Sequence, residues 1–137
     1  MNINYQINPT LSTKEFIDIL SHSTLGERRP IDDLECIENM IKNADIIVTA
    51  VIDDKIVGVA RAVTDFSYCC YLSDLAVDAE LQHHGVGKML IIKMREQLGS
   101  KCKMILLSAP SAVEYYPKIG FSQHSSAWVL DSYKEIL

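Results

Sequence analysis

The chain has 137 residues, of which 48% are hydrophobic and 23% are charged, and its formal net charge is −5. This length and composition are ordinary for a soluble globular protein and predict one domain, residues 1–137, with its own core. The acidic balance argues against nucleic acid and anionic membranes as partners, because both favour a basic protein face, and it is compatible with an amine substrate.

The four cysteines, Cys36, Cys69, Cys70 and Cys102, predict free thiols. None of them has the spacing of a zinc site, and Cys69 and Cys70 would point to opposite faces of a strand. No apolar run reaches the ~18 residues that cross a bilayer, and residues 1–6 lack the basic and apolar regions of a secretory signal. We therefore expect buried thiols in a reducing cytoplasm, with neither a metal centre nor a membrane partner.

The N-terminal third predicts one strand and two helices. Apolar and polar residues alternate over residues 2–7, which indicates a half-buried strand. Ser12 or Thr13 can cap a first helix, and helical spacing of apolar residues predicts a second helix over about residues 32–43. The stretch Gly26–Pro30 between them is predicted to be a loop.

Three consecutive strands are predicted in the middle of the chain. β-branched residues dominate residues 45–53, a turn at Asp53–Lys55 leads into residues 56–63, and a third apolar run contains Tyr71–Val77. Because the connections are short, we expect these strands to form an antiparallel meander.

A glycine-containing loop, Gln82–Lys88, lies between the third strand and a helix predicted over about residues 86–98. The first N–H groups of a helix have no partner inside it, and the helix dipole adds positive charge there, so this arrangement favours a bound phosphate. Gly85 and Gly87 tolerate positive φ and let the backbone approach an anion. An ordinary strand-to-helix turn is the alternative interpretation.

Two other phosphate-binding loops do not fit this stretch. A Walker loop would need glycine at position 82 and serine or threonine at position 89, and the chain has Gln82 and Met89 there. A dinucleotide-binding fingerprint would need a third glycine at position 90, which is Leu90.

The C-terminal third predicts a strand over residues 103–108, a helix from Pro110 to about Ile119 and a final strand, Phe121–Leu130. Because a helix connects the preceding strand to residues 103–108, we expect those two strands to be parallel. The predicted fold class is α+β, with a mixed, mostly antiparallel sheet covered by helices.

Two stretches resemble the GCN5-related N-acetyltransferase (GNAT) superfamily. Gln82–Lys88, which follows a strand, is similar to the acyl-CoA pyrophosphate loop of that family, Gln/Arg-x-x-Gly-x-Gly/Ala. Ala112–Phe121 is similar to its late helix, which ends in aromatic-Tyr-x-Lys-x-Gly-Phe. The resemblance covers about residues 45–121 and implies a twisted sheet with helices on both faces, a splayed central pair of parallel strands, and acetyl-CoA as co-substrate.

The resemblance also implies how the chain would hold acetyl-CoA. Backbone groups of Leu75, Ala76 and Val77 would pair with the pantetheine arm like an added strand. The pyrophosphate would lie against the loop residues Gln82, His83, His84, Gly85, Val86, Gly87 and Lys88. Many members carry an asparagine where this chain has Ala109, and the hydroxyl of Ser111 is a candidate substitute.

Tyr116 occupies the motif position where many family members carry the tyrosine that protonates the leaving thiolate. A phenol with a pKa near ~10 is protonated at neutral pH and can act as a general acid, although a packing role under the cofactor is the alternative. Some members carry a glutamate that acts as general base on the strand before the loop. In this chain no glutamate lies between Asp45 and Ala79. Asp74 and Ser73 could instead organise a water that accepts the amine proton, or Asp74 could be a structural carboxylate.

Arg28 and Arg29 lie in the loop that lines the acceptor site in this family, where they could bind an anionic group of the acceptor or a CoA phosphate, or could simply be solvated.

The predicted function is transfer of an acetyl group from acetyl-CoA to a primary amine of a small molecule by direct attack. An inactive acyl-CoA-binding module on the same fold and a protein N-acetyltransferase are the alternatives. A poorly covered late edge of the sheet predicts a homodimer.

Overall fold

The computed structural model describes residues 2–137, which form two compact units, residues 2–107 and residues 108–137. The first unit contains a five-stranded sheet and three α-helices. Its elements are β1 (Asn4–Ile7), α1 (Thr13–His22), α2 (Leu34–Lys42), β2 (Ile46–Ile52), β3 (Lys55–Thr64), β4 (Cys69–Val77), α3 (Val86–Arg95) and β5 (Lys103–Ile105). The second unit contains one short helix, α4 (Tyr115–Lys118).

The sheet has the strand order β1-β2-β3-β4-β5. The first three pairings are antiparallel and the last, β4 with β5, is parallel, which confirms the predicted mixed and mostly antiparallel sheet. The predicted central position of the parallel pair is wrong, because the pair lies at the edge of the sheet.

The strand expected over Phe121–Leu130 is not formed. Val129 is the only β-branched residue in that stretch, and five of its neighbours form the polar run Ser122–Ser126.

The N-terminal helices begin at the residues expected from capping chemistry. Ser12 Oγ accepts a hydrogen bond from the Glu15 backbone N–H at 3.1 Å, and Glu15 Oε1 accepts one from the Ser12 N–H at 3.0 Å. Asp33 caps α2 by accepting from the Cys36 N–H at 3.1 Å. The loop predicted over Gly26–Pro30 is instead largely a 3-10 turn, Thr24–Arg28.

Helices cover both faces of the sheet, as predicted. On one face, α1 and α2 pack onto β2, β3 and β4 through the core residues Leu11, Phe16, Ile19, Leu20, Ile37, Ile47, Val59 and Ala76. On the opposite face, α3 approaches β3 at Gly58, where an added Cβ would lie 3.1 Å from Leu90 and 3.2 Å from Val86. Each fully buried Leu, Ile or Phe side chain contributes about 1.5–3 kcal/mol, so these two layers hold β4 and the loop after it in place.

The last predicted helix is shorter than expected. Residues 110–119 form a 3-10 turn, Pro110–Ala112, followed by α4. Pro117 explains the break, because its ring would collide with the carbonyl of Val113 in a continuous helix. The predicted strand over residues 103–108 is reduced to the three residues of β5.

All four cysteines are free thiols, but their burial differs. Cys70 is buried and Cys69 is exposed, which confirms that their side chains point to opposite faces of β4. The expectation that the thiols are buried holds only for Cys70, because Cys36 and Cys102 are partly exposed. The cytoplasmic location stays a prediction. None of the helices within residues 2–137 combines the length and apolar character needed to cross a membrane.

Candidate functional site

A β-bulge at Ser73 opens the sheet. Arg61 of β3 faces Asp74 of β4, and Ala62 faces Leu72, so Ser73 is an extra residue on β4. A bulge bends its strand and increases the local twist. Strand β4 stays paired with β3 as far as Val77, but its parallel pairing with β5 stops before the bulge. The two parallel strands therefore separate at this point.

The separation leaves one side of β4 open from Leu72 to Val77. The predicted pantetheine-binding residues Leu75, Ala76 and Val77 lie on this open stretch. Leu75 and Val77 are partly exposed, whereas the side chain of Ala76 packs in the core under α1. An open strand edge offers its backbone N–H and C=O groups to another extended chain.

The loop Gln82–Lys88 follows the open edge and ends at the N-terminus of α3. Gly85 is the residue before the helix, has φ of +80°, and offers no side chain to cap it. The first helical bond runs from the Met89 N–H to the Gly85 carbonyl at 3.1 Å. Within residues 2–137, the N–H groups of Val86, Gly87 and Lys88 have no acceptor. This end of α3 therefore presents three free donors and the positive end of the helix dipole.

The space beside Gly85 is empty, since a Cβ added there would meet no atom within 4 Å. An anion can approach the backbone from that side. Gly87 does not use the left-handed conformation that glycine tolerates. It lies inside the first turn of α3 and does not have positive φ. Within the loop Gln82–Lys88, His83 shares the left-handed conformation of Gly85, with φ of +69°.

The polar side chains of the loop are exposed, whereas Val86 is buried. His84 Nδ1 lies 3.0 Å from the Gln82 carbonyl oxygen, and Gln82 Nε2 donates to the Val77 carbonyl at 3.5 Å, which ties the loop back to the end of β4. Lys88 is also exposed, at the start of the helix. In the described part of the chain, no three His, Cys, Asp or Glu side chains are grouped in a way that could hold a metal ion.

Asp74 lies on the bulge and is ion-paired with two arginines. The carboxylate is buried, with 1% of the residue exposed. Its Oδ1 accepts from Arg29 Nε at 2.5 Å, and its Oδ2 accepts from Arg61 Nε. A buried carboxylate needs such partners, because charge loses its hydration inside a protein. Both oxygens of Asp74 therefore orient guanidinium groups.

Ser73 completes this cluster. Its hydroxyl oxygen accepts from Arg61 Nη2 at 2.9 Å, and its backbone carbonyl accepts from Arg29 Nη2 at 2.8 Å. The bulge thus brings Ser73 and Asp74 together, as the sequence suggested, although their partners are arginines. Their predicted part in accepting the amine proton stays a prediction.

The structure separates the two arginines that the sequence placed in one anion site. Arg28 is exposed, whereas Arg29 turns toward the sheet and leaves 21% of its side chain accessible. Arg61 was missed by the sequence interpretation. A signal for it existed, because Arg61 is the only charged residue of the apolar stretch 56–63 and Asp74 is the only charged residue of β4. Two lone opposite charges on neighbouring buried strands predict an ion pair.

Tyr116 lies in the second unit, within a small aromatic group. Its ring centroid is 5.3 Å from that of Tyr115 and 5.4 Å from that of Phe121, both edge-on. Burial raises the pKa of Tyr116 to about 12, and repulsion from Tyr115 adds to the shift. The hydroxyl of Tyr116 therefore keeps its proton at neutral pH. Ser111 is exposed in the 3-10 turn Pro110–Ala112.

Comparison with known proteins gives a consistent result. A family model described as an acetyltransferase (GNAT) domain matches residues 21–131. The uncharacterized N-acetyltransferase ycf52 of Pyropia yezoensis is 29% identical over 94 residues, which cover 64% of this chain and 54% of that protein. This chain thus matches only about half of that relative's length.

Solved structures with the same fold are also found. A protein of unknown function from meticillin-resistant Staphylococcus aureus, SA2161, described as a probable acetyltransferase, has a TM-score of 0.79 at 17% identity; the match covers 96% of this chain and 100% of that one. The PaiA N-acetyltransferase of Thermoplasma acidophilum, solved in complex with coenzyme A, has a TM-score of 0.66 at 18% identity, with coverage of 93% and 94%. At these identities the likeness establishes the fold.

Proposed function

Because the chain belongs to the GNAT acetyltransferase family, we propose that it transfers the acetyl group of acetyl-CoA to a primary amine of a small molecule. The observation that carries this proposal is the open edge of β4 followed by the uncapped N-terminus of α3. An extended thioester arm and a pyrophosphate need these two features in this order along the chain.

Two parts of acetyl-CoA, the pantetheine arm and the pyrophosphate, have matching groups in the first unit. The amide groups of the pantetheine arm pair with the backbone of Leu75–Val77, as an added strand would. The pyrophosphate accepts hydrogen bonds from the free N–H groups of Val86, Gly87 and Lys88 and gains from the dipole of α3. The space beside Gly85 lets a phosphate oxygen reach the backbone.

The reaction is a direct displacement at the thioester carbonyl. The lone pair of a neutral amine attacks the carbonyl carbon, a C–N bond forms, and the C–S bond breaks. The CoA thiolate leaves with the bonding electrons, and the attacking nitrogen gives up a proton to water. The products are an N-acetyl amine and CoA, and holding the two reactants together supplies much of the acceleration.

Tyr116 is the proposed general acid. Its motif position supports this role, and so does its pKa of about 12, because the hydroxyl stays protonated at the pH values, near ~10, where a primary amine becomes neutral. An ordinary thiol has a pKa near ~8.5, so such a phenol is the weaker acid of the two. We therefore propose that Tyr116 acts mainly by donating a hydrogen bond to the departing thiolate.

An inactive acyl-CoA-binding module on the same fold is the second candidate. Ala109 stands where many family members have asparagine, and both oxygens of Asp74 are paired with arginines, so a dedicated base is not evident among the described residues. Such a module would bind acetyl-CoA and leave it intact.

A screen separates the two candidates. The protein is incubated with acetyl-CoA and a panel of small amines, and the N-acetyl products are measured by mass spectrometry. Transfer predicts an acetylated amine formed in step with free CoA. Thermal stabilisation by acetyl-CoA without any acetylated product would favour the binding module, and the absence of stabilisation would contradict both candidates.

A further inference from the structure

The cluster formed by Arg29, Asp74 and Arg61 carries an uncompensated positive charge. Two guanidinium groups, which stay protonated in proteins, face one carboxylate, and this leaves a net charge of one positive unit. The cluster sits on the bulge, where β4 begins to separate from β5. A positive charge here lies beside the proposed path of the thioester.

Arg29 is the member of the cluster that can reach a ligand. Its Nε donates to Asp74, its Nη2 to the Ser73 carbonyl at 2.8 Å and its Nη1 to the Arg28 carbonyl at 2.9 Å. A guanidinium has five N–H groups, so one N–H on each terminal nitrogen has no acceptor within residues 2–137. The Arg29 side chain keeps 21% of its surface accessible, against 9% for Arg61.

An apolar surface adjoins this charge on the same face of the sheet. Tyr71 of β4 is paired with Val63 of β3 and with Ile105 of β5, so the three side chains form a row across the strands. Val63 lies two residues after Arg61 and therefore shares its face. All three side chains are between 40% and 49% exposed, although they are large and apolar. This row offers an apolar contact surface to a ligand.

We propose that the acceptor amine also carries a carboxylate, which Arg29 binds, and an apolar group, which packs on Tyr71 and Ile105. The acceptor class is thus an apolar amino acid or a similar amino carboxylate. This inference rests on the proposed acetyl transfer. Asp74 is a positioning residue in this account, because it fixes the guanidinium of Arg29 in one orientation and offsets half of the cluster's positive charge. The remaining positive charge disfavours polyamines and other polycations.

The test compares matched acceptors, such as leucine and its decarboxylated amine. The measured quantity is the ratio of kcat/KM for the two acceptors, in the wild type and in Arg29→Gln. The two amines differ in pKa, but the change in this ratio between proteins does not depend on that difference. We expect Arg29→Gln to lower the ratio by about 10- to 100-fold, the effect of losing a hydrogen bond between charged groups.

Two further variants sharpen the assignment. Arg95→Gln removes an exposed arginine at the end of α3 and should leave the ratio unchanged. Arg29→Lys keeps the charge without the planar fork and should restore part of the preference. Retained turnover of the decarboxylated amine by Arg29→Gln shows that the variant is folded and active.

Binding is measured as well, so that the inference is decided even without turnover. Calorimetry with the protein–CoA complex should detect leucine binding in the wild type and a loss of about 10-fold or more in affinity in Arg29→Gln. An unchanged ratio and unchanged leucine binding in Arg29→Gln would overturn the carboxylate assignment while leaving acetyl transfer intact. A collapse of the ratio in Arg28→Gln instead would show that the other arginine holds the carboxylate.

Discussion

Arg61 of β3 donates from Nε to the buried carboxylate of Asp74, the residue it faces across the sheet on β4. This pair sits where one extra residue, Ser73, enters β4 and where the parallel strand β5 turns away. Asp74 therefore lies where the sheet opens and also holds Arg29, which binds the other oxygen of the same carboxylate.

Replacing the carboxylate should destabilise the first unit strongly. Asp74→Asn keeps the side-chain shape but leaves two mostly buried guanidinium groups facing each other, and removing one partner of a buried ion pair costs about 3–5 kcal/mol. Urea unfolding measures the loss. Lys14→Gln is the control, because Lys14 pairs with Asp18 on the surface of α1 and such pairs contribute less than about 1 kcal/mol. Equal effects of the two changes would show that the Asp74 cluster is not structural.

Replacing Thr49 should stabilise the protein, in contrast to the loss expected at Asp74. The side chain of Thr49 is fully buried in β2, and its hydroxyl oxygen has no hydrogen-bond partner within residues 2–137. Thr49→Val replaces an unsatisfied hydroxyl with a methyl group of similar size, so the free energy of unfolding should rise by about 1 kcal/mol. Calorimetric Tm measures the gain. Thr64→Val should instead lower the Tm, because the Thr64 hydroxyl donates to the Cys69 carbonyl at 2.6 Å.

The glycine loop is tested by comparing two glycines in the left-handed region. Gly85 has φ of +80° and Gly120 has φ of +105°, and an added Cβ would meet no neighbouring atom at either position. Alanine at each site should lower stability by about 1 kcal/mol, because an L residue is strained there. Only Gly85→Ala should also reduce the thermal shift produced by acetyl-CoA, since Gly85 directly precedes the free donors of α3 in the chain. Equal shifts in both variants would remove the loop from the binding account.

Tyr116 is tested by removing only its hydroxyl. Tyr116→Phe should lower kcat by about 10²- to 10³-fold, the usual effect of removing one hydrogen-bond donor to negative charge that develops in the transition state, with little change in acetyl-CoA binding. Tyr115→Phe is the matched control and should be nearly silent. The reverse pattern would assign the role to Tyr115.

The pH profile gives a second test of the same residue. Because its pKa is about 12, Tyr116 loses its proton only as the pH rises toward that value. Activity should rise with pH as the acceptor amine loses its proton, and should show no descending limb below about pH 10, the pKa of an unperturbed tyrosine. A descending limb near neutrality would indicate a different acid.

The edge of the sheet predicts a homodimer. Strand β5 has only three residues, and β4 is its only strand partner in the described part of the chain, so its outer edge carries unpaired backbone groups. Light scattering at micromolar concentration should give twice the chain mass. A monomer under these conditions would refute this prediction.

Much of the first unit follows from local patterns in the sequence. The meander β2–β4, the capping of α1 at Ser12 and the glycine turn before α3 each depend on neighbouring residues, and each is found where it was predicted. The bulge at Ser73 was not predictable in this way, because one extra residue changes neither the composition nor the length of β4 noticeably. Its consequence, the three-way contact of Arg29, Asp74 and Arg61, joins residues up to 45 positions apart.

The end of the chain was predicted less well. An apolar start at Phe121 and the run Trp128–Leu130 suggested a strand, but the polar residues between them do not alternate with apolar ones, and no ladder forms. Pro117 was placed in a continuous helix that its ring does not allow. In both places the local chemistry, a polar run in one and a proline in the other, opposes the predicted element.

The central claim, acetyl transfer from acetyl-CoA at the open edge of β4, is tested most directly with acetyl-CoA labelled isotopically in the acetyl group. The protein is incubated with this compound and a panel of primary amines, and the labelled products are counted by mass spectrometry beside the free CoA. The account predicts one labelled N-acetyl amine for each CoA released. Tight binding of acetyl-CoA with no labelled amine from any member of the panel would contradict it.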